Sequence, residues 1–122
     1  MIRKINLTAT IAAGATTATA TSETIHGKIV RVEVNYPTNT CTVDLDTVGE
    51  NHSQKIMDLA AANTDVTYYP QTPVCTNTGA ETVYEFTALK KYTPMNVFGK
   101  ITLTLASGTA TEAVTVGITY EE

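Results

Sequence analysis

The chain has 122 residues, of which 43% are hydrophobic and 16% charged, and this length suits a single domain. Its net charge of -4, from 8 Lys+Arg against 12 Asp+Glu, argues against nucleic acid as a partner, because phosphate binding needs a basic surface. No apolar run approaches the ~20 residues of a membrane-spanning helix, so no membrane partner is expected. Threonine, present 25 times, supplies much of the polarity.

The first strand is predicted near the N-terminus, where apolar and polar residues alternate with a period of two. Over Lys4–Ile11 one side of this strand is apolar: Ile5, Leu7, Ala9 and Ile11. The basic Met1–Lys4 and the small Ala18–Ala20 have the form of a signal peptide, but polar residues interrupt the apolar run that such a peptide needs. We therefore expect the whole chain to be mature protein, with residues 1–22 forming an N-terminal strand or arm.

The next segment is rich in threonine and alanine and admits two interpretations. Its alanines bury too little surface to hold a strand by packing, whereas its threonines favour an extended backbone. Either the segment pairs with Val114–Tyr120 of its own domain, or it is an arm that adds a strand to a partner's sheet. The second interpretation makes its hydroxyl residues candidates for partner binding: Thr16, Thr17, Thr19 and Thr21.

The strongest predicted strand follows His26-Gly27 and has its apolar residues on one face: Val30, Val32, Val34 and Tyr36. A turn at Pro37–Thr40 leads into a second alternating stretch, in which Cys41, Val43 and Leu45 share a face. This order predicts a hairpin between the two strands.

The middle of the chain is less regular. Lys55–Ala62 fits two turns of helix as well as it fits a short strand, because so few residues do not settle the period. Asp65–Tyr69 and Val83–Leu89 are predicted strands. Between them, Pro70–Pro73 predicts an extended segment outside any ladder, because neither proline donates a backbone hydrogen bond.

Two further strands, Lys100–Ala106 and Val114–Tyr120, are predicted on either side of a Ser107–Thr109 turn. Seven or eight strands with two long loops predict a single all-β domain over residues 1–122, an antiparallel β-sandwich or small jelly roll. The apolar phase of the alternation supplies the predicted core: Ile5, Leu7, Ile11, Val30, Val32, Val34, Val43, Leu45, Ile101, Leu103, Leu105, Val114, Val116 and Ile118.

Groups that carry out catalysis or bind metals are sparse. Carboxylates and a histidine follow one another over one stretch: Asp44, Asp46, Glu50, His52 and Asp58. They suit either a hard-cation site or a solvated strand face, and the lack of glycine-punctuated acidic spacing favours the solvated face. The other histidine, His26, stands outside any hydrolase motif. We therefore expect no enzyme activity, no cofactor and no bound metal.

The two cysteines, Cys41 and Cys75, are too few for a disulfide framework and lack the spacing of a metal knuckle. They are interpreted either as two small apolar residues of the core or as one disulfide bridge.

Tyrosines beside prolines flank the irregular middle of the chain. A tyrosine has a large apolar ring and a hydrogen-bonding tip, which suits a protein interface, a sugar site or a cover over the end of a sandwich. Tryptophan, on which sugar platforms usually depend, is absent. Rigid aromatic loops lose little entropy on docking, so we expect self-association, as a trimer, and partner binding. The candidate residues are Tyr68, Tyr69, Pro70, Pro73 and Tyr92.

Five stretches of the sequence carry a resemblance to a known class of protein: Leu7–Thr21, Gly27–Val34, Tyr68–Val74, Thr78–Ala80 and Gly99–Gly108. In these stretches the chain resembles small structural proteins of tailed bacteriophages. More narrowly, it is similar to the decoration or cement proteins on the outside of phage heads.

The resemblance implies a β-rich, often trimeric protein that is synthesised in the host cytoplasm and located on the outer surface of the virion. There it would clamp neighbouring subunits of the major capsid protein. The resemblance transfers no catalytic or ligand-binding residue. An alternative with the same composition is a carbohydrate-binding or adhesive β-sandwich module of a phage tail, head fibre or cell surface.

Overall fold

The computed structural model describes residues 1–48, 53–73, 79 and 92–122. These residues form strands and no helix, which confirms the predicted all-β class. The strands are β1 (Ile2–Thr10), β2 (Ala18–Thr21), β3 (Ile25–Asn35), β4 (Cys41–Val48), β5 (Lys55–Ala62), β6 (Val66–Tyr68), β7 (Gln71–Pro73), β8 (Tyr92–Pro94), β9 (Asn96–Ala106) and β10 (Ala113–Glu121). The predicted strand at Val83–Leu89 lies outside the described residues.

The strands form two antiparallel layers, β1-β10-β3-β6 and β2-β9-β4-β5. Among the described residues, the short strands β7 and β8 pair only with each other. When they are set aside, β9 and β10 become the seventh and eighth strands, and the layers follow the orders 1-8-3-6 and 2-7-4-5. Two such four-stranded layers make a jelly roll. The prediction of a β-sandwich or small jelly roll is therefore confirmed.

The two layers are joined by a long bent path of the chain, which consists of β2, β3 and the residues between them. Ala18–Thr21 pairs with the C-terminal half of β9, and Ile25–Lys28 pairs with its N-terminal half. The path then leaves β9, and the rest of β3 pairs with β10. The predicted partner of the threonine-rich segment was therefore wrong, because β1 and β3 already flank β10 on its two sides. The segment does pair inside its own domain, but with β9.

One buried serine lies where the path changes register along β9. Ser22 donates its backbone N–H to the Ile101 carbonyl at 2.9 Å, and its Oγ accepts the Ile101 N–H at 2.9 Å. The same Oγ donates to the Glu23 carbonyl at 2.7 Å. The hydroxyl thus replaces a backbone carbonyl that the irregular register has moved away, and it satisfies a buried N–H of the central strand.

The core lies between the two layers and contains most of the predicted residues. Twelve of the fourteen are buried, Ile5 is half-buried against the core, and Val30 is 39% exposed. The core also includes residues outside this set of fourteen: Ala9, Ile25, Ile29, Cys41, Ile56, Met57, Met95, Val97 and Tyr120.

A β-bulge explains why the prediction for Val30 was wrong. Thr119 of β10 pairs with Arg31, but the next residue, Tyr120, pairs with Ile29. Val30 is therefore an extra residue on β3. After it the even-numbered residues face the core, and before it the odd-numbered residues do. Ile29 is buried in its place. Ile29 and Val30 are adjacent and both apolar, so the alternation alone does not show at which of them the inward phase changes.

The predicted hairpin between β3 and β4 was also wrong. β4 pairs with β9 and β5, and the residues between β3 and β4 cross from one layer to the other. This crossing is held by Glu112, whose carboxylate accepts from the backbone and side-chain nitrogens of Asn39 at 3.2 and 2.7 Å. A polar turn with a proline occurs in connections between layers as well as in hairpins. The sequence does not distinguish the two, and the hairpin was predicted because it pairs strands that are consecutive in the chain.

Two uncertain segments are strands. Lys55–Ala62 forms the edge strand β5, so the strand interpretation holds and the helix does not. Pro70–Pro73 was predicted to stay outside any ladder, but Gln71–Pro73 pairs with Tyr92–Pro94. The prediction failed because each three-residue strand has a proline at only one end, which leaves other backbone groups free to pair.

Candidate functional site

Apart from Tyr68, which ends β6, the predicted tyrosines and prolines lie on an insertion into the jelly roll. This insertion follows β6, contains β7 and β8, and ends before β9. Across the small ladder, Pro73 lies opposite Tyr92. Tyr69 is 64% exposed and Tyr92 is 53% exposed. We call Tyr68, Tyr69, Pro70, Pro73 and Tyr92 the tyrosine surface.

Tyr68 connects the tyrosine surface to the body of the domain. It lies opposite the fully buried Val32, yet it remains 36% exposed because β6 is an edge strand. Burial, followed by the neighbouring Tyr68, raises the pKa of Tyr36. Tyr36 is itself partly buried against the core.

The predicted threonines do not lie with the tyrosine surface. Thr16 and Thr17 are exposed in the connection from β1 to β2, where the Thr16 carbonyl accepts the Gly108 N–H at 3.0 Å. Thr19 and Thr21 are exposed on β2 and lie opposite threonines of β9. The connection that holds Thr16 is at the opposite end of the sandwich from the insertion, so the two predicted groups are separate surfaces.

Sequence reasoning missed a groove where β3, β9 and the end of β10 meet. Its volume is about 500 Å³, and its lining includes His26, Lys28, Asn96, Phe98 and Glu121. The Phe98 side chain is 57% exposed, and His26 meets its ring edge-on, with 5.2 Å between the ring centroids and 77° between the planes. We call this the β3–β9 groove.

A glycine allows the wall of this groove to close. Gly27 has φ of +152°, which disfavours a side chain, and a Cβ placed there would lie 2.3 Å from the Glu121 carbonyl oxygen. The end of β10 can therefore pack directly onto the β3 backbone. His26-Gly27 resembled a simple turn in the sequence, and only the pairing of His26 with Phe98 across two strands reveals the site.

The carboxylates examined as a cation site lie on the outer face of β4 and β5. Asp44 lies directly opposite Asp58, and Lys55 Nζ lies 3.1 Å from Asp46 and 4.0 Å from Asp44. The lysine ammonium therefore lies beside two of these carboxylates. Glu50 and His52 lie outside the described residues.

Burial and the neighbouring Asp58 carboxylate raise the pKa of Asp44, and the Lys55 ammonium opposes this shift. A raised pKa in the folded state means that Asp44 contributes most to stability below its ordinary pKa. This contribution is lost as the pH rises through the folded-state pKa. The pair Asp44–Asp58 therefore weakens the fold at neutral pH.

We expect Asp58→Asn to raise the free energy of unfolding at pH 7 by roughly 0.2–1 kcal/mol, because it removes like charges from directly opposite positions. Urea denaturation at pH 7 and pH 4 measures this, and the advantage should shrink at pH 4, where Asp44 takes up a proton. Glu23→Gln, an exposed change of the same chemistry, serves as the control. An advantage that is equal at both pH values contradicts the charge explanation.

Cys41 is fully buried with a free thiol, and burial followed by the Glu112 carboxylate raises its pKa. This places it in the core, as one of the two interpretations predicted. Cys75 lies outside the described residues.

The comparisons with known proteins give no family. No protein-family model, curated protein or solved structure matches the chain significantly. In the part of the chain that the structure describes, no helix is long and apolar enough to cross a membrane.

Proposed function

We propose that this protein is a structural virion protein that binds the outer surface of a phage capsid and stabilises the lattice. In this proposal it contacts neighbouring subunits of the major capsid protein, as decoration or cement proteins do. The observation that carries the proposal is the tyrosine surface, in which Tyr69 and Tyr92 are exposed on an addition to the jelly roll. Loops added to a rigid β scaffold are where binding residues concentrate.

The composition of the tyrosine surface suits docking to a protein. Tyrosine rings bury a large apolar area and lose few rotamers on binding, and prolines restrict the backbone before contact is made. The Pro73–Tyr92 pair joins both strands of the insertion, so the exposed rings are held by a ladder. Such a surface loses little conformational entropy when it binds a fixed lattice.

The fold is compatible with this role but does not by itself favour it over other functions. Jelly rolls occur in viral capsid proteins and also in lectins. Function therefore has to be argued from the surface residues. A trimer is part of the proposal, since three copies around a lattice symmetry axis would present three tyrosine surfaces and gain avidity.

Co-sedimentation with purified capsids that lack the protein tests the proposal, after light scattering has measured the mass of the free protein. We expect saturable binding, and we expect the double variant Tyr69→Ala/Tyr92→Ala to lose at least about tenfold in affinity, because exposed aromatic anchors dominate interface energy. Phe98→Ala is the matched control, since this ring is similarly exposed but lies outside the insertion. We expect it to bind capsids normally.

Two outcomes contradict the proposal. The first is no binding of the unaltered protein to capsids. The second is equal loss of binding in the tyrosine variant and in Phe98→Ala, which would show that the tyrosine surface has no special part in docking.

A further inference from the structure

We propose that the β3–β9 groove is a binding site for an uncharged saccharide. Nothing in the capsid-binding role uses this groove, and its residues lie outside the tyrosine surface. The inference therefore does not depend on the proposed function. It rests on one exposed aromatic ring, a set of polar side chains that converge on it, and the concave shape of the site.

The side chains that form the floor come from two neighbouring cross-strand pairs. His26 lies opposite Phe98, and Lys28 lies opposite Asn96. All four are exposed on the same outward face. Residues two apart on a strand are separated by ~7 Å, and directly opposite residues lie about 4.5–5.5 Å apart. The four side chains therefore frame an area that suits one sugar ring.

The ring of Phe98 supplies the apolar contact that a sugar needs. One face of a pyranose presents C–H groups, which pack against an aromatic ring. His26 and Phe98 pack in a T-shaped arrangement, which restricts the rotation of both rings, and Phe98 remains 57% exposed. An exposed ring held in one orientation is organised before the ligand arrives, and this lowers the entropic cost of binding.

The polar residues supply both donors and acceptors. Lys28 donates, the Glu121 carboxylate accepts, and the Asn96 amide does both, which matches the two roles of a sugar hydroxyl. Lys28 and Glu121 lie opposite each other on β3 and β10, and neither forms an ion pair with another described residue. The lining also includes Glu122, whose carboxylate lies 2.8 Å from Arg3 Nε, so this second acidic charge is paired. Opposite charges side by side give little net attraction for an anion or a cation. The groove therefore favours a neutral polar ligand.

The shape of the site distinguishes a sugar from a protein partner. Protein interfaces centre on apolar anchors whose surroundings exclude water, with charged groups depleted at the centre. Here a single ring is surrounded by charged and amide groups, in a cavity of about 500 Å³. This volume falls in the usual range of small-ligand sites, about 300–1,000 Å³.

Titration of the isotope-labelled full chain, followed by amide NMR shifts, tests the inference. The probes are the methyl glycosides of glucose, galactose, mannose and N-acetylglucosamine. We expect at least one to shift the amides of Gly27, Asn96 and Phe98 in a saturable way. Phe98→Ala should weaken this binding by about tenfold or more, and Asn96→Ala should also weaken it.

Tyr69→Ala is the matched control, because it removes an exposed ring from the tyrosine surface and should leave sugar binding unchanged. If Phe98→Ala does not fold, Phe98→Leu keeps the apolar volume and removes only the ring. The inference is overturned if no glycoside shifts the groove amides, or if the ring variants bind as well as the unaltered protein. It is also overturned if Phe98→Ala lowers the solution mass, since the groove would then be an interface between copies. A failure of capsid binding leaves each of these results unaffected.

Discussion

The substitution Val32→Asp is expected to abolish folding. Val32 is fully buried at the middle of β3, between β10 on one side and β6 on the other. A carboxylate there has no cationic partner, and an uncompensated buried charge costs roughly 3–5 kcal/mol. The lost burial of the valine adds roughly 1.5–3 kcal/mol. Together these approach the whole stability of a small domain, about 5–15 kcal/mol.

Val30→Asp is the matched control for this substitution. Plain alternation gives Val30 and Val32 the same environment, but the β-bulge leaves Val30 39% exposed. We expect Val30→Asp to remain folded, with a stability change of about 1 kcal/mol or less. Circular dichroism and urea denaturation of both variants measure the difference. Unfolding by both substitutions would show that β3 continues without the bulge.

The substitution Ser22→Ala is expected to have the second largest effect. The serine Oγ is the acceptor for the buried Ile101 N–H. Alanine leaves this N–H without a partner at the point where the path from β2 to β3 changes register. A buried donor left unsatisfied costs roughly 1–3 kcal/mol. Urea denaturation should therefore show a lower midpoint with an unchanged slope.

Thr21→Ala provides the comparison for Ser22→Ala. Thr21 is the adjacent residue, is exposed, and its hydroxyl is 3.5 Å from that of Thr102. Its loss should change the free energy of unfolding by about 0.5 kcal/mol or less. Equal effects of the two substitutions would mean that the Ser22 hydroxyl does not hold the corner.

The sequence predicted the fold class because most strands have one buried face. Val114, Val116 and Ile118 alternate without interruption and are all buried, as are Leu103 and Leu105. The alternation reports which side of a strand faces the core, but it carries no information about which strand lies beside it. For this reason the pairing partner of β2 and the crossing from β3 to β4 were predicted wrongly.

The surfaces were only partly predictable. The residues of the tyrosine surface could be chosen from the sequence because each tyrosine stands close to a proline, in Tyr68–Pro73 and in Tyr92–Pro94, and their role in binding stays a prediction. The β3–β9 groove was not, because His26 and Phe98 are far apart in the chain and meet only through the pairing of β3 with β9. A site built across strands by long-range pairing leaves no local pattern in one sequence.

Electron cryomicroscopy of capsids with and without the bound protein shows whether the tyrosine surface docks on the outside of the head. We expect additional density on the outer surface of the head, shaped like the jelly roll, with the tyrosine surface in contact with the major capsid protein. The absence of additional density on the outer surface, or contact through a different face such as the β3–β9 groove, would contradict this expectation.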